Sequence, residues 1–286
     1  MNNRETEEAR TVIHANRPWW RIPVGEILAY RGLLYQLVRR DFVSRYKQTI
    51  LGPAWFILQP LAMTAVFTLV FHRIARIPTD GIPPPLFYMA GLLTWNFFSN
   101  SFTQVGGTFR NNANVFGKVY FPRLISPLAS IVTQGFAFGL QLLTFTALFL
   151  YFRFVLGAEG FHLSNGAVLF PLLLLQIVLL GLGVGLWITS LTAKYRDLVH
   201  ALGFLTQIWM YLTPVIYPLS RIPEEIRWLA VFNPMAGPVE TTRWMLLGEG
   251  TLPIFLLVGN LLLTVGIFLS GLFLFSRVER TFIDTV

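Results

Sequence analysis

Six apolar runs constrain this chain more than any other feature of its sequence. They cover about residues 54–71, 86–109, 124–152, 167–193, 198–219 and 252–276. Each approaches or exceeds the roughly 20 residues that a helix needs to cross a bilayer. Inside lipid every backbone polar group must find its partner within the protein, which leaves helices or closed barrels as spanning forms. Runs of this length predict an all-α integral membrane protein with six transmembrane helices. Composition agrees, since only 13% of the 286 residues are charged, against about 25% in soluble domains. The second run is the least apolar, with Asn96, Ser99, Asn100, Ser101 and Gln104. The fourth is the plainest and carries Gly181, Gly183 and Gly185.

Six spans put both termini on one side, and lysine and arginine decide which side. Of the 22 basic residues, 16 fall on the side of the termini and 6 opposite, so both termini are expected in the cytoplasm. The net charge of +8 is accordingly read as topology and lipid-surface charge, not as a nucleic-acid patch. A secretory signal peptide would place a short apolar core in the first 15–30 residues. The first apolar run here begins near Ala54, so none is expected.

The segments between the runs have their own patterns. Residues 1–23 read as a tail and 277–286 as a second one. Within 24–53, Ile27, Tyr30, Leu34, Leu37, Val38 and Phe42 recur at helical spacing, with Arg31, Arg39, Arg40, Arg45 and Lys47 on much of the remainder. A basic amphipathic helix beside a span is expected to lie in the headgroup plane; packing on a partner is the alternative. Gly52-Pro53 ends it. After the second run, Arg110 to about Gly117 reads as a short helix stopped by Gly117, with Pro122 opening the next span. Between the fifth and sixth runs, Pro223 followed by Glu224 and Glu225 signals a helix start over about 223–229. A second short helix is expected over 239–247, and Trp228 and Trp244 suit an interface.

The chemistry that is missing narrows the function. Cysteine is absent, so no disulfide framework or thiolate site is expected. The one Gly-Lys pair, Gly117-Lys118, is followed by Val119, so no phosphate-binding P-loop is present. The histidines at 14, 72, 162 and 200 are scattered. No catalytic, cofactor-binding or metal-ligating residue is therefore expected. None of the 14 acidic residues falls inside an apolar run. Ion-coupled carriers need ionisable groups there, so a secondary transporter is disfavoured. Aromatic residues make up 15% of the chain. Most suit lipid contact or helix packing. Trp55, Trp95, Asn96, Phe98, Phe102, Trp209 and Tyr211 are the candidates for a wet path, because flat rings with scattered amides suit sugars.

Several stretches together carry a resemblance. They are Arg45-Tyr-Lys-Gln-Thr-Ile-Leu-Gly-Pro-Ala-Trp, with Gln59-Pro60 following, Leu86-Phe-Tyr-Met-Ala-Gly-Leu-Leu-Thr-Trp-Asn-Phe-Phe, and Lys118-Val-Tyr-Phe-Pro-Arg. Tyr195-Arg-Asp-Leu, Leu212-Thr-Pro-Val-Ile-Tyr-Pro, Asn233-Pro-Met and Glu279-Arg-Thr-Phe-Ile-Asp continue the series. From about residue 24 onward the chain resembles the permease subunit of ABC-2 type polysaccharide exporters, the group that moves O-antigen, capsule and teichoic acid, with O-antigen permeases most similar.

The resemblance implies more than composition does. It implies two permease copies working with two copies of a separate P-loop ATPase, which binds ATP and Mg, while this chain binds no cofactor. It implies export of an undecaprenyl-diphosphate-linked polysaccharide across a bacterial inner membrane. Arg110, Asn111, Asn112, Asn114, Phe116 and Lys118 would lie on the helix that couples to the ATPase. Arg39, Arg45 and Lys47 would attract the lipid diphosphate. Glu224, Arg227, Trp228 and Arg243 would belong to outer gate helices. An ABC-2 exporter of another cargo (teichoic acid, lipid or drug) shares the same architecture. A membrane glycosyltransferase using a lipid-phosphate donor, with Asp80 as its carboxylate, is the alternative of a different class.

Overall fold

The computed structural model describes residues 24–47, 50–116, 121–195, 197–248 and 254–282. Among them every regular element is helical. A short helix α1 (Val24–Ala29) leads into α2 (Arg31–Tyr46). Then follow α3 (Trp55–Phe67), α4 (Pro84–Gly106), α5 (Thr108–Phe116), α6 (Ile125–Leu150), α7 (Phe170–Lys194) and α8 (Leu198–Leu212). The last are α9 (Glu224–Arg227), α10 (Ala236–Leu247) and α11 (Ile254–Phe282). Four helical stretches are long and apolar enough to cross a membrane: Gly52–Ile74, Ile125–Val155, Asn165–Lys194 and Ile254–Glu279. The chain is a multi-pass membrane protein.

The second and fifth apolar runs differ from those four, for separate reasons. Helix α4 has 23 residues, about 34 Å at 1.5 Å per residue. It is wrapped by protein, with Leu86, Tyr88, Ala90, Phe98 and Val105 fully buried, so its polar residues need not face lipid. Helix α8 stops at Leu212, seven residues short of the expected end. Proline at 214 disfavours the helical conformation for the residue before it, and Thr213 is extended, at φ −93° and ψ 141°.

The glycines of α7 set how closely its neighbours approach. Gly181 and Gly185 face α4, against Ser101 and Val105, while Gly183 faces α11. A β-carbon on Gly183 would sit 2.7 Å from the Phe268 Cα and 2.8 Å from its backbone nitrogen. Backbone cannot swing aside, so the helices must separate. Gly183→Ala is expected to cost about 1–3 kcal/mol as overpacking. Thermal unfolding in detergent checks this against Gly203→Ala, where nothing lies within 4 Å of the added carbon.

The apolar stripe of α2 is used within the chain. Leu37 is buried with Phe121, Ile125 and Ala129 at the start of α6, and Ile27, Tyr30, Leu34 and Val38 pack around them. Phe42 stacks on Phe56 at 6.2 Å. The stripe therefore covers α6 and α3 rather than serving only as a face for headgroups, and Arg31 and Arg39 stay exposed.

Candidate functional site

Helix α4 is the spine on which three groups of side chains sit. At its far end the chain turns at Gly107 directly into α5. Thr108 donates to the Val105 carbonyl at 2.6 Å, and Thr189 of α7 reaches the same oxygen at 2.5 Å. Phe109 stacks on Phe275 of α11 at 5.3 Å, with its ring 7° from parallel. Asn112 is buried; its Oδ1 accepts from Arg40 Nη2 at 2.9 Å and its Nδ2 donates to the Thr108 carbonyl at 3.1 Å. Phe116 packs on Phe109 and Phe121, beneath the Arg123 guanidinium. Helix α5 thus has an inner face that ties α2, α6 and α11 together. Its outer face carries Arg110 and Asn111, both exposed. Of the residues expected to couple to an ATPase, Asn112 and Phe116 lie inside and Arg110 and Asn111 outside. The side chain of Asn114 and the whole of Lys118 lie outside the described residues.

Midway along α4, four of the seven wet-path candidates meet. Trp209 of α8 lies 6.2 Å from Trp95, 5.1 Å from Phe98 and 6.1 Å from Phe102. Trp95, Phe98 and Phe102 are no more than 3% exposed, so in this conformation a polymer outside the chain cannot touch them. They fasten α8 to α4. Asn96 is half-buried, while Trp55 and Tyr211 are exposed and stand apart from the cluster.

At the near end of α4 lies a polar cluster that the sequence reading did not assemble. Arg243, expected on an outer gate helix, is buried. Its Nη1 donates to the Pro214 carbonyl and its Nη2 to the Val215 carbonyl, both at 2.6 Å. These carbonyls are free because α8 has stopped, and a buried backbone carbonyl needs a partner within the protein. The guanidinium also lies 3.7 Å from the Phe87 ring centroid and 3.4 Å from Glu240. Gly91 makes room for it: a β-carbon there would sit 2.8 Å from Nη2. Glu240 accepts from the Leu219 N–H at 2.6 Å. Burial pushes the Glu240 carboxyl above its ordinary range, and Arg243 and the Leu219 N–H pull it back.

Two asparagines complete this end. Asn233 Oδ1 accepts from Trp209 Nε1 at 3.0 Å and from the Met235 N–H at 3.2 Å, while its Nδ2 donates to the Leu212 carbonyl and Thr213 Oγ1. Asn260 of α11 is buried; it accepts from the Gly237 N–H at 2.6 Å and donates to the Val231 carbonyl at 2.8 Å. A lone amide in an apolar run was the available signal for Asn260. The other expected gate residues do not join Arg243. Glu224 is exposed and pairs loosely with Arg227 at 4.0 Å, and Trp228 is exposed with Phe232 against its edge. Asp80 accepts from Ser220 Oγ at 2.8 Å. Arg39 and Lys47 are exposed on and beside α2; the side chain of Arg45 lies outside the described residues. Among the described residues no group of acidic or histidine side chains could hold a metal ion.

The family model described as ABC-2 type transporter matches residues 32–247. The chain belongs to that family. Among curated relatives, the O-antigen export system permease protein RfbA of Myxococcus xanthus is 32% identical over 220 residues, which cover 75% of this chain and 80% of the relative. The protein of the same name from Klebsiella pneumoniae is 27% identical over 254 residues, covering 88% and 94% respectively. The polysialic acid transport protein KpsM of Escherichia coli is 24% identical over 209 residues, covering 72% and 78%. This ABC-2 family member is thus homologous to the permeases of polysaccharide export. The match begins inside α2 and ends at the last residue of α10, so it takes in α4 and most of the three groups along it, while Phe275 and Asn260 of α11 lie beyond it.

Proposed function

We propose that this chain is the channel-forming subunit of an ATP-driven exporter of undecaprenyl-diphosphate-linked polysaccharide, with O-antigen as its cargo. It works as two permease copies with two copies of a separate P-loop ATPase, in a bacterial inner membrane. Helices α4 and α8 complete six spans, and both termini are cytoplasmic. The observation that carries this reading is the two-faced α5. Its inner face is bonded to α2 and stacked on α11, while Arg110 and Asn111 stand free on the outer face at one end of the spine.

A push on α5 would reach α2, α6 and α11 together, because packed helices shift as rigid bodies. The ATPases close on ATP, α5 transmits the movement, and the lipid-linked end enters near the exposed Arg39 and Lys47. The polymer then slides past Trp55 and Tyr211, the two candidate rings with open faces. Sliding requires many weak contacts rather than one tight site. The segments α9 and α10 form the outer gate, with Arg243 fixing the inner of the two. The names of the relatives favour polysaccharide over a drug or a simple lipid.

The test is co-expression of this chain with its chromosomal neighbours, followed by purification in mild detergent. An equimolar P-loop subunit with ATPase activity, and polymer held inside cells that lack this chain, are the expected results. A chain that purifies alone under every mild condition, or cells that export polymer without it, would overturn the proposal.

A further inference from the structure

Beyond the gate, the end of α8, residues 76–78 and the α9 segment line an open cavity of about 860 Å³. Its lining is mostly apolar, with Leu212, Ile226, Leu229 and Phe232 prominent. Two charged residues line it, Arg76 and Arg221, and no carboxylate does. Among the described residues neither guanidinium makes a hydrogen bond or ion pair. Of the carboxylates at this end, Asp80 is bonded to Ser220, Glu224 is paired with Arg227, and Glu240 is held by Arg243 and the Leu219 N–H; Glu225 is exposed and outside the cavity lining. Arg76 also holds a left-handed backbone, at φ 57°. That conformation is strained for a residue with a β-carbon, and such strain gathers at ligand clamps. Arg76 lies two residues beyond the spanning stretch Gly52–Ile74, which sets it at headgroup level.

We propose that this cavity holds one anionic phospholipid, its phosphate between Arg76 and Arg221 and one acyl chain along Leu212, Ile226, Leu229 and Phe232. The proposal rests on the reading of the chain as a membrane permease, but not on its cargo. A free phosphate would match the two arginines and leave the apolar wall bare. A sugar would need amides or carboxylates. The one amide in the lining, Asn233, already has Trp209, Met235, Leu212 and Thr213 as partners. Ile226, Leu229 and Phe232 are partly exposed and continue the apolar wall out to the surface. A lipid seated there would join the first outer loop to the end of α8 and to α9, and anionic lipid would thereby set the stability of the gate.

The full chain, reconstituted with its ATPase partner in phosphatidylcholine nanodiscs, is labelled with phosphatidylglycerol carrying a photoactivatable acyl chain, and the adducts are mapped by peptide mass spectrometry. Adducts are expected within residues 212–232. Labelling should fall about fivefold for Arg76→Gln and again for Arg221→Gln, the effect of one lost basic residue at an anionic headgroup. The Lys variants should retain most of it. Neither side chain has a partner to lose, so elution profiles should match wild type. Equal labelling by a phosphatidylcholine probe, adducts confined to other segments, or full labelling of the Gln variants would overturn the proposal. Block of labelling by inorganic phosphate would also overturn it, in favour of a free anion. Polysaccharide export is measured on the wild-type complex in parallel. A complex that exports polymer but shows no selective labelling at these residues sinks the lipid site alone, and a selectively labelled complex that exports no polymer sinks only the cargo reading.

Discussion

Arg243→Met will cost this protein about 3–5 kcal/mol, the usual effect of removing one partner from a buried ion pair. The side chain caps the Pro214 and Val215 carbonyls, neutralises Glu240 and covers the Phe87 ring. Methionine supplies the volume and none of the donors. Lysine does little better, because its point charge cannot reach two carbonyls as a planar fork does. The measurement is melting temperature and monodisperse yield in detergent, with Glu240→Gln beside it. Glu240→Gln keeps an acceptor for the Leu219 N–H, so its loss should be smaller. The double variant should lose less than the two single losses combined, because no bare carboxylate remains. Stability against pH gives an independent readout. Without Arg243 the folded Glu240 carboxyl titrates still higher above its unfolded value. Its protonation then supports the fold at low pH, and that support is lost as pH rises through the raised value. The deficit of Arg243→Met should therefore shrink on acidification. A melting temperature within a degree or two of wild type would show that Arg243 does not hold this end of the fold.

Arg243 also marks where sequence reasoning ran out. Hydropathy located the four long apolar stretches because burial in lipid demands apolar residues whatever the neighbours are. Gly117, the expected stop of α5, lies outside the described residues, and α8 stops at Leu212, well before the apolar run does. The stripe Ile27, Tyr30, Leu34, Leu37 and Val38 was legible as a face, but its counterpart on α6 was not, since periodicity gives a side and never a partner. An arginine between two spans reads as surface charge. Only the fold shows that a helix ended by Pro214 leaves carbonyls for it to cap. The same holds for Trp95, Phe98 and Phe102. Their rings beside amides suited a sugar path, and the arrival of Trp209 from α8 closed them into a packed cluster.

The two faces of α5 allow coupling to be separated from folding. Arg110→Glu together with Asn111→Asp changes only exposed side chains, and exposed substitutions usually shift stability by no more than about 0.5 kcal/mol. Both lie in the first turns of the helix, where negative charge favours the helix dipole. The fold should therefore hold, while an ATPase surface matched to a basic, uncharged-amide face should be repelled. Export in cells and ATP hydrolysis by the reconstituted complex should each fall at least about tenfold, the equivalent of 1.4 kcal/mol of lost coupling. Asn112→Leu should behave in the opposite way. It removes one of the two acceptors of Arg40, which keeps Asp41, and with it the tie of α5 to α2, at about 1 kcal/mol for a lost part-buried hydrogen bond. Its melting temperature should drop while contact with the ATPase persists. Wild-type export from Arg110→Glu/Asn111→Asp, in cells where the complex assembles normally, would remove α5 from the coupling path. The drive would then have to enter through α2, whose exposed Arg31 and Arg39 face away from α6.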